Sequence, residues 1–266
     1  MPDTELISHL PEDGPEDGAR APHILFVHGA FHGAWCWSEH YLPWFAEQGW
    51  PAHALSLRGH GQSAGAAQIR DFTLDDYCED ITWAMARIGS PVVLVGHSMG
   101  GVLSERMFHR RPDVAGLVFF ASSPLKPDPA VVMRLLRTRP LSLMRGQFGG
   151  DLPALRRAME PFFLSPDLPV AELDRYHGLL SLESPKAMAE IFPRAAMHRP
   201  EGDVRPVLVV GGEQDWSIPR ASHEALAARY DAPLVMCPGA HGLMLDPHWR
   251  VSAEAIRNWL DGSFPA

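Results

Sequence analysis

The 266-residue sequence is poor in cysteine and has no long apolar run. Its three cysteines, Cys36, Cys78 and Cys237, are too few and too scattered for a disulfide framework, and no cysteine pattern has zinc-ligand spacing. Every apolar run is far shorter than the roughly 20 residues that cross a bilayer. Residues 1–18 lack the basic and apolar segments of a signal peptide. These absences predict a cytoplasmic protein with no metal and no membrane partner.

Basic residues are outnumbered by acidic ones. The sequence has 23 Lys and Arg against 32 Asp and Glu, which gives a formal net charge of -9 at pH 7. A surface that neutralises nucleic-acid phosphates needs clustered basic side chains, and the basic residues here never form a run longer than two. Nucleic acid is therefore excluded as a partner. Hydrophobic residues at 46% and charged residues at 21% are instead typical of a globular domain.

Short apolar runs alternate with amphipathic segments along most of the chain. Buried strands are predicted at 23–28, 51–57, 92–95, 114–121, 207–210 and 233–237, and helices at 74–88, 101–110, 221–230 and 251–260. Parallel strands need crossover connections, which helices commonly supply. The alternation therefore predicts an α/β protein with a mostly parallel central sheet flanked by helices.

The alternation stops between residues 124 and 200. This stretch is rich in Pro, Met and Arg and has helical patches, but no strand of the earlier type. We interpret 124–200 as a helical cap inserted into a core of residues 21–123 and 201–266, with residues 1–20 as an N-terminal extension. The abundant apolar side chains of the cap favour a small or medium apolar substrate, although most of them are expected to pack the cap against the core.

The segment Gly96–Gly100, with the sequence GHSMG, carries the clearest chemical signal. It is a G-x-S-x-G pattern between a predicted strand and a predicted helix, which is the context of a nucleophile elbow. Small flanking residues allow a sharp turn that exposes the hydroxyl of Ser98. The backbone N–H of Met99 begins the following helix and is therefore predicted to stabilise an oxyanion.

A serine hydroxyl needs an adjacent base, and the base needs a carboxylate that orients it. Asp215 and His241 each follow a predicted strand downstream of Ser98, in the order that this chemistry requires. Ser98, Asp215 and His241 are therefore predicted to form a catalytic triad. Glu213 and Asp128 remain alternatives for the carboxylate. Asp215 also has an alternative structural role, because Asp often accepts backbone hydrogen bonds in a turn ahead of a helix.

These motifs and their order resemble the α/β-hydrolase superfamily over nearly the whole chain outside the cap and the N-terminal extension. The sequence HGA at 28–30 is similar to the family's HG loop, and this resemblance implies that the N–H of Ala30 or Phe31 completes the oxyanion hole. The segment 57–63 is similar to the D-x-R-G-x-G-x-S motif, with Ser56 where Asp is common. That departure is expected to affect packing and not the triad. The resemblance implies the α/β-hydrolase fold.

The longer segment 28–37 resembles the branch that contains plant methyl esterases and hydroxynitrile lyases. The lyases usually carry a Thr after the His-Gly-type pair and a Lys after the catalytic His, whereas this chain has Ala30 and Gly242. Lyase chemistry would lack its electrostatic partners here, so the resemblance implies hydrolysis. Trp35 and Trp37 of the same segment are predicted to be packing residues.

The sequence thus predicts a serine hydrolase that cleaves a small or medium, mainly apolar carboxylic ester through an acyl-enzyme, without a metal or organic cofactor. Lactone, thioester or carbon–carbon bond hydrolysis on the same triad remains an alternative, because fold and triad do not define the electrophile. A non-catalytic protein that binds a small ligand is a further alternative. Dehalogenases and epoxide hydrolases of similar fold carry an Asp where Ser98 stands, which argues against those activities. The oligomeric state stays open.

Overall fold

A mostly parallel sheet forms the centre of the protein. The computed structural model describes residues 3–12, 22–138, 140–147, 149–154, 156, 164–165, 167–191 and 202–265. The strands are β1 (Leu6–His9), β2 (His23–Val27), β3 (Ala52–Leu55), β4 (Val92–His97), β5 (Val114–Phe120), β6 (Val207–Gly212) and β7 (Leu234–Cys237). Across the described residues their order is β1-β3-β2-β4-β5-β6-β7, and each neighbouring pair is parallel except β1 with β3.

Helices connect and flank the strands. They are α1 (Trp35–Ser38), α2 (Tyr41–Glu47), α3 (Leu74–Ile88), α4 (Met99–Arg110), α5 (Pro129–Thr138), α6 (Pro140–Gln147), α7 (Val170–Leu179), α8 (Pro185–Glu190), α9 (Arg220–Tyr230) and α10 (Trp249–Ser263). Short 3-10 helices occupy Ala66–Asp71 and Leu243–Leu245. Helix α4 packs on β4 and β5, α9 packs on β6, and α2 packs on β1 and β3.

This alternation of strands and helices confirms the predicted fold class. The predicted strands correspond to β2 through β7, and the predicted helices correspond to α3, α4, α9 and α10. All positions of β2, β3, β4 and β6 are buried, which explains why their sequences are nearly continuous apolar runs. Local signals also set helix ends. Helix α3 begins at a capping box between Thr73 and Asp76 and ends at Gly89, whose φ of 71° suits glycine.

An aromatic cluster fills part of the core beside the central strands. Trp37 is fully buried, and its ring centroid lies 4.7 Å from that of Phe26 and 5.4 Å from that of Phe120. Tyr41 contacts the same two rings, with centroid distances of 5.7 and 5.8 Å. Such pairs add about 0.5–1.5 kcal/mol each to the free energy of burying apolar area. Trp35 also packs against the core, so the packing role predicted for both tryptophans is confirmed.

The N-terminal segment extends the sheet and braces a core loop. Strand β1 lies within residues 1–20, which were predicted to be an N-terminal extension. A four-residue edge strand has too short a pattern to be predicted from the sequence. Just before β1, the Glu5 carboxylate accepts hydrogen bonds from the Ser56 hydroxyl at 2.5 Å and from Gln62 N–H at 3.0 Å. Ser56 stands where the resembled motif carries Asp. Glu5 therefore supplies a carboxylate to this loop from another part of the chain.

Helices α5 to α8 lie between β5 and β6, in the region predicted as a cap. The described residues of 124–200 form helices and loops without a strand. Arg175 of α7 forms an ion pair with Glu39, and Glu190 of α8 accepts a hydrogen bond from Leu74 N–H at 2.9 Å. These contacts tie the region to the core. The division into core, cap and extension remains a prediction. Among the described helices, none combines the length and the apolarity needed to span a membrane.

Candidate active site

Ser98 occupies a strained turn between β4 and α4. Its φ of 52° and ψ of -116° are unusual for a residue other than glycine and carry a strain of about 1–3 kcal/mol. Three backbone hydrogen bonds hold this turn. Ser98 N–H donates to the carbonyl of Phe120 at 3.2 Å, and Ser98 C=O accepts from Gly101 N–H at 3.0 Å and Ser123 N–H at 3.1 Å. The half-buried side chain of Ser98 thus stands at the carboxyl edge of the sheet, as predicted for a nucleophile elbow.

The glycines of the GHSMG segment permit close packing of backbone on backbone. A Cβ on Gly100 would lie 2.3 Å from the carbonyl oxygen of Val27 and 2.5 Å from that of His28. A Cβ on Gly96 would lie 2.4 Å from the carbonyl oxygen of Gly100. Contacts this short essentially never occur. The start of α4 can therefore rest on the end of β2 only when these positions have no side chain.

Asp215 and His241 meet in the arrangement predicted for the acid and base of a triad. Nδ1 of His241 lies 2.6 Å from Oδ2 of Asp215, and both side chains are buried. The other oxygen, Oδ1, accepts hydrogen bonds from Ser217 N–H at 2.8 Å, from the Ser217 hydroxyl at 2.6 Å and from Ile218 N–H at 3.0 Å. The two roles considered for Asp215 therefore coexist, one on each carboxylate oxygen.

The charge of Asp215 is stabilised within the protein. Burial would raise the pKa of Asp215, but the charge and hydrogen bond of His241, together with the donors of the turn, more than offset it, so this pKa lies below its usual value of 3.8. An ionised carboxylate 2.6 Å from Nδ1 of His241 favours the tautomer with its proton on Nδ1, in which Nε2 is the basic ring nitrogen. The alternatives for the acid are placed elsewhere: Glu213 is exposed, and Asp128 accepts a hydrogen bond from Ala130 N–H.

A hydrogen bond from His97 links the loop of His241 to the serine turn. Nε2 of His97 lies 3.1 Å from the carbonyl oxygen of His241, and the two ring centroids are 4.7 Å apart. Burial, followed by the neighbouring His241, holds the pKa of His97 well below 6.5, so the ring is neutral and Nε2 is its donor. Asp246 supports the same loop by accepting a hydrogen bond from Ala240 N–H at 3.1 Å. Sequence reasoning missed both residues, although His97 stands next to the predicted nucleophile.

Two backbone N–H groups beside Ser98 are available to a ligand. Within the described ranges, the N–H groups of Met99 and Ala30 have no hydrogen-bond partner, although both residues are buried. The HG loop lies against the nucleophile, since a Cβ on Gly29 would lie 2.9 Å from Cβ of Ser98. Buried N–H groups are almost always paired in proteins, so a ligand oxygen suits this position. Phe31 N–H instead donates to Oε2 of Glu183 at 3.4 Å, which leaves Ala30 as the second available donor.

No group of three or more His, Cys, Asp or Glu side chains in the described part of the chain is arranged to hold a metal ion. The chemistry that these residues can support is attack by an activated serine on a carbonyl carbon, since the loop of the buried His241–Asp215 pair is joined through His97 to the turn of Ser98.

Comparisons with known proteins concern the family and the fold. The Alpha/beta hydrolase family matches residues 24–253. Norfluorocurarine synthase 1 of a Strychnos species is 34% identical over 114 residues, which is 42% of this chain and 42% of that protein. Probable esterase PIR7A of Oryza sativa subsp. indica is 37% identical over 110 residues, which is 40% of each chain. The chain thus matches well under half the length of these curated relatives.

Solved structures extend the likeness to almost the whole chain. A thermophilic esterase from Thermogutta terrifontis, with malate bound, superposes with a TM-score of 0.71 at 20% sequence identity. The superposition covers 98% of this chain and 94% of that one. At this identity the likeness concerns the fold alone.

Proposed function

Because the chain belongs to the alpha/beta hydrolase family, we propose that it is a serine hydrolase that cleaves small or medium, mainly apolar carboxylic esters. Ser98 is the nucleophile, His241 the general base and Asp215 the orienting carboxylate. The observation that carries the proposal is the 2.6 Å contact between Nδ1 of His241 and Oδ2 of Asp215. A hydrogen bond from His97 links the loop of His241 to the serine turn. The partial match to a protein named a probable esterase supports ester hydrolysis.

The reaction proceeds in two halves. Oγ of Ser98 attacks the ester carbonyl carbon while Nε2 of His241 takes the hydroxyl proton, and the N–H groups of Met99 and Ala30 stabilise the oxyanion. Collapse of the tetrahedral intermediate breaks the carbon–oxygen bond, and His241 returns the proton to the leaving alcohol. Water then attacks the acyl-enzyme, again through His241, and releases the carboxylic acid with Ser98 restored. Asp215 stabilises the imidazolium formed in each half.

A cytoplasmic location is part of the same proposal. Its support is that Cys36, Cys78 and Cys237 are all unpaired and buried, which suits a reducing compartment.

Turnover of p-nitrophenyl esters of increasing acyl length tests the proposal. Wild type and Ser98→Ala are compared, with covalent labelling by a fluorophosphonate in parallel. Ser104→Ala is the matched control, because Ser104 is a buried serine of α4 whose hydroxyl has no hydrogen-bond partner in the described residues. We expect wild type and Ser104→Ala to hydrolyse the esters and to label. Ser98→Ala should not label and should lose at least about 10³-fold in kcat.

Other outcomes would redirect the assignment. Absence of both turnover and labelling in the wild type would contradict the esterase proposal and favour a ligand-binding protein. Labelling without ester turnover would favour another electrophile, so a lactone and a thioester are assayed in the same series.

A further inference from the structure

Glu183 lies in the segment between α7 and α8, and its carboxylate is completely buried. Oε1 accepts hydrogen bonds from the Tyr77 hydroxyl at 2.7 Å and from Ser184 N–H at 2.7 Å. Oε2 accepts from Nε2 of His60 at 3.0 Å and from Phe31 N–H at 3.4 Å. Both oxygens are therefore engaged by donors from separate parts of the chain, which is the condition for stabilising a buried carboxylate.

His60 gives this carboxylate a buried cation as its partner. Nδ1 of His60 faces the carbonyl oxygen of Arg58 at 3.1 Å, while Nε2 faces Glu183. A carbonyl oxygen and an ionised carboxylate can only accept hydrogen bonds, so this geometry favours a proton on both ring nitrogens, which is the imidazolium form. Burial would lower the pKa of His60 and raise that of Glu183, but their mutual attraction and hydrogen bond reverse both effects, so the pKa of His60 is raised and that of Glu183 is lowered.

The segment that contains Glu183 is hydrogen-bonded to the backbone of Phe31, next to the predicted oxyanion hole. Phe31 has a φ of 69°, which is unfavourable for a residue with a Cβ and needs support from its surroundings. The Glu183 carboxylate accepts a hydrogen bond from Phe31 N–H, and the carbonyl oxygen of Phe31 accepts one from Ser181 N–H at 2.9 Å. On the other side of the Ala30–Phe31 peptide, the Ala30 carbonyl oxygen lies 2.8 Å from Nδ1 of His32. Because a peptide unit is planar, the contacts at the Phe31 N–H and at the Ala30 carbonyl oxygen define the orientation of the Ala30–Phe31 peptide.

We propose that Glu183, paired with His60, is a positioning residue for the oxyanion hole. The hydrogen bonds to Glu183 and His32 hold the Ala30–Phe31 peptide and thereby restrict the backbone of Ala30, whose own N–H belongs to the preceding peptide. A segment of the predicted cap therefore completes the catalytic geometry of the core, and the buried ion pair keeps the acceptor in place. The inference deepens the proposed function and rests on it.

Substituting Glu183 tests this role, with Glu190→Ala as the matched control. Glu190 is the carboxylate of α8 that accepts a hydrogen bond from Leu74 N–H, so its loss also removes a contact to the core but not one to the oxyanion loop. In Glu183→Ala we expect kcat to fall about 10- to 100-fold, because a small misplacement of a catalytic group has effects of this size. KM should change by less than about threefold, since the interaction acts on the transition state.

Two further readouts separate positioning from general destabilisation. The affinity for an alkylboronic acid, which adds to Ser98 as a tetrahedral anion, should fall in parallel with kcat, whereas the affinity for the alcohol product, which has no oxyanion, should not. Glu183→Gln should recover part of kcat, because its amide oxygen can still accept from Phe31 N–H while its amide nitrogen then faces the N–H of Ser184. Glu190→Ala should retain the kcat and the boronate affinity of the wild type. Thermal melting of each variant reports folding separately.

The inference is wrong if Glu183→Ala keeps wild-type kcat and boronate affinity, or loses no more of them than Glu190→Ala. A parallel loss of affinity for the alcohol product would also overturn it. If Glu183→Ala does not fold, the double variant Glu183→Leu/His60→Leu takes its place, and its kcat and boronate affinity are judged in the same way. Apolar pairs often replace buried ion pairs without loss of stability. These outcomes require an active wild type. An inactive wild type instead counts against the proposed function itself.

Discussion

Replacing Asp215 with Asn should leave the fold intact and disable the base. Oδ1 of Asp215 accepts three hydrogen bonds from the turn at Ser217 and Ile218, and Oδ2 accepts one from His241. An Asn side chain has a single oxygen, so it can serve only one of these two sides. Which side it serves decides the tautomer of His241.

The balance of hydrogen bonds favours the turn. If the amide nitrogen faced the turn, the N–H groups of Ser217 and Ile218 would be buried without an acceptor, at about 1–3 kcal/mol each. Keeping the amide oxygen toward His241 would preserve a single hydrogen bond with a net contribution near 1 kcal/mol. The amide nitrogen of Asn at position 215 should therefore face Nδ1 of His241.

A donor at Nδ1 forces the proton of His241 onto Nε2. In that tautomer the imidazole cannot accept the proton of Ser98, and no ionised carboxylate remains to stabilise an imidazolium. Loss of the correct tautomer lowers kcat by about 10⁴-fold in comparable triads, which corresponds to about 5 kcal/mol of transition-state stabilisation. We expect a decrease of that order in Asp215→Asn.

The assay is kcat for a p-nitrophenyl ester, with Ser98→Ala defining the background. Ser217→Ala is the control, because it removes the hydroxyl donor but keeps the carboxylate and both N–H donors, so its kcat should stay within about tenfold of the wild type. The far-downfield proton signal expected for Nδ1–H of His241 should disappear in Asp215→Asn. Activity of Asp215→Asn within tenfold of the wild type would refute the assignment of the acid.

Two further predictions concern the loops that support the site. Gly100→Ala should lower the free energy of unfolding, measured by urea denaturation, by about 1–3 kcal/mol, since its Cβ would overlap the Val27 carbonyl. The control Gly178→Ala has open space at its Cβ and should be neutral or slightly stabilising. Glu5→Ala should lose about 1–2 kcal/mol in the same assay by leaving the Ser56 hydroxyl without its acceptor. Adding Ser56→Asp to Glu5→Ala should restore most of that loss, and a failure to restore it would contradict the bracing role of Glu5.

Much of the fold and the central chemistry could be predicted from adjacent residues. The apolar run of β4 followed by GHSMG and an amphipathic helix specifies a strand, a sharp turn and a helix, because each depends on side chains that are neighbours in sequence. The positions of Asp215 and His241 just past strand ends followed from the same reasoning, since parallel strands bring their carboxyl ends to one edge. The roles of these residues in catalysis remain predictions.

Other parts of the site have no signal in the local sequence. Nothing near Glu183 indicates that its carboxylate is buried against His60 and Phe31, which are more than a hundred positions away. Likewise, an isolated Glu5 in an acidic N-terminal segment is typical of a solvated side chain, and only β1 pairing with β3 brings it to Ser56. Both of these carboxylates were therefore missed.

The sequence by itself determined which segments form strands and helices, where the serine turn lies and which residue types are available to it. These properties depend on backbone conformation and hydrophobic period, which a few consecutive residues control. The tertiary structure alone decided which carboxylate oxygen meets which donor, which backbone N–H stays unpaired and which charges become buried together. Those outcomes depend on the packing of distant segments, where a displacement of one ångström makes or breaks a hydrogen bond.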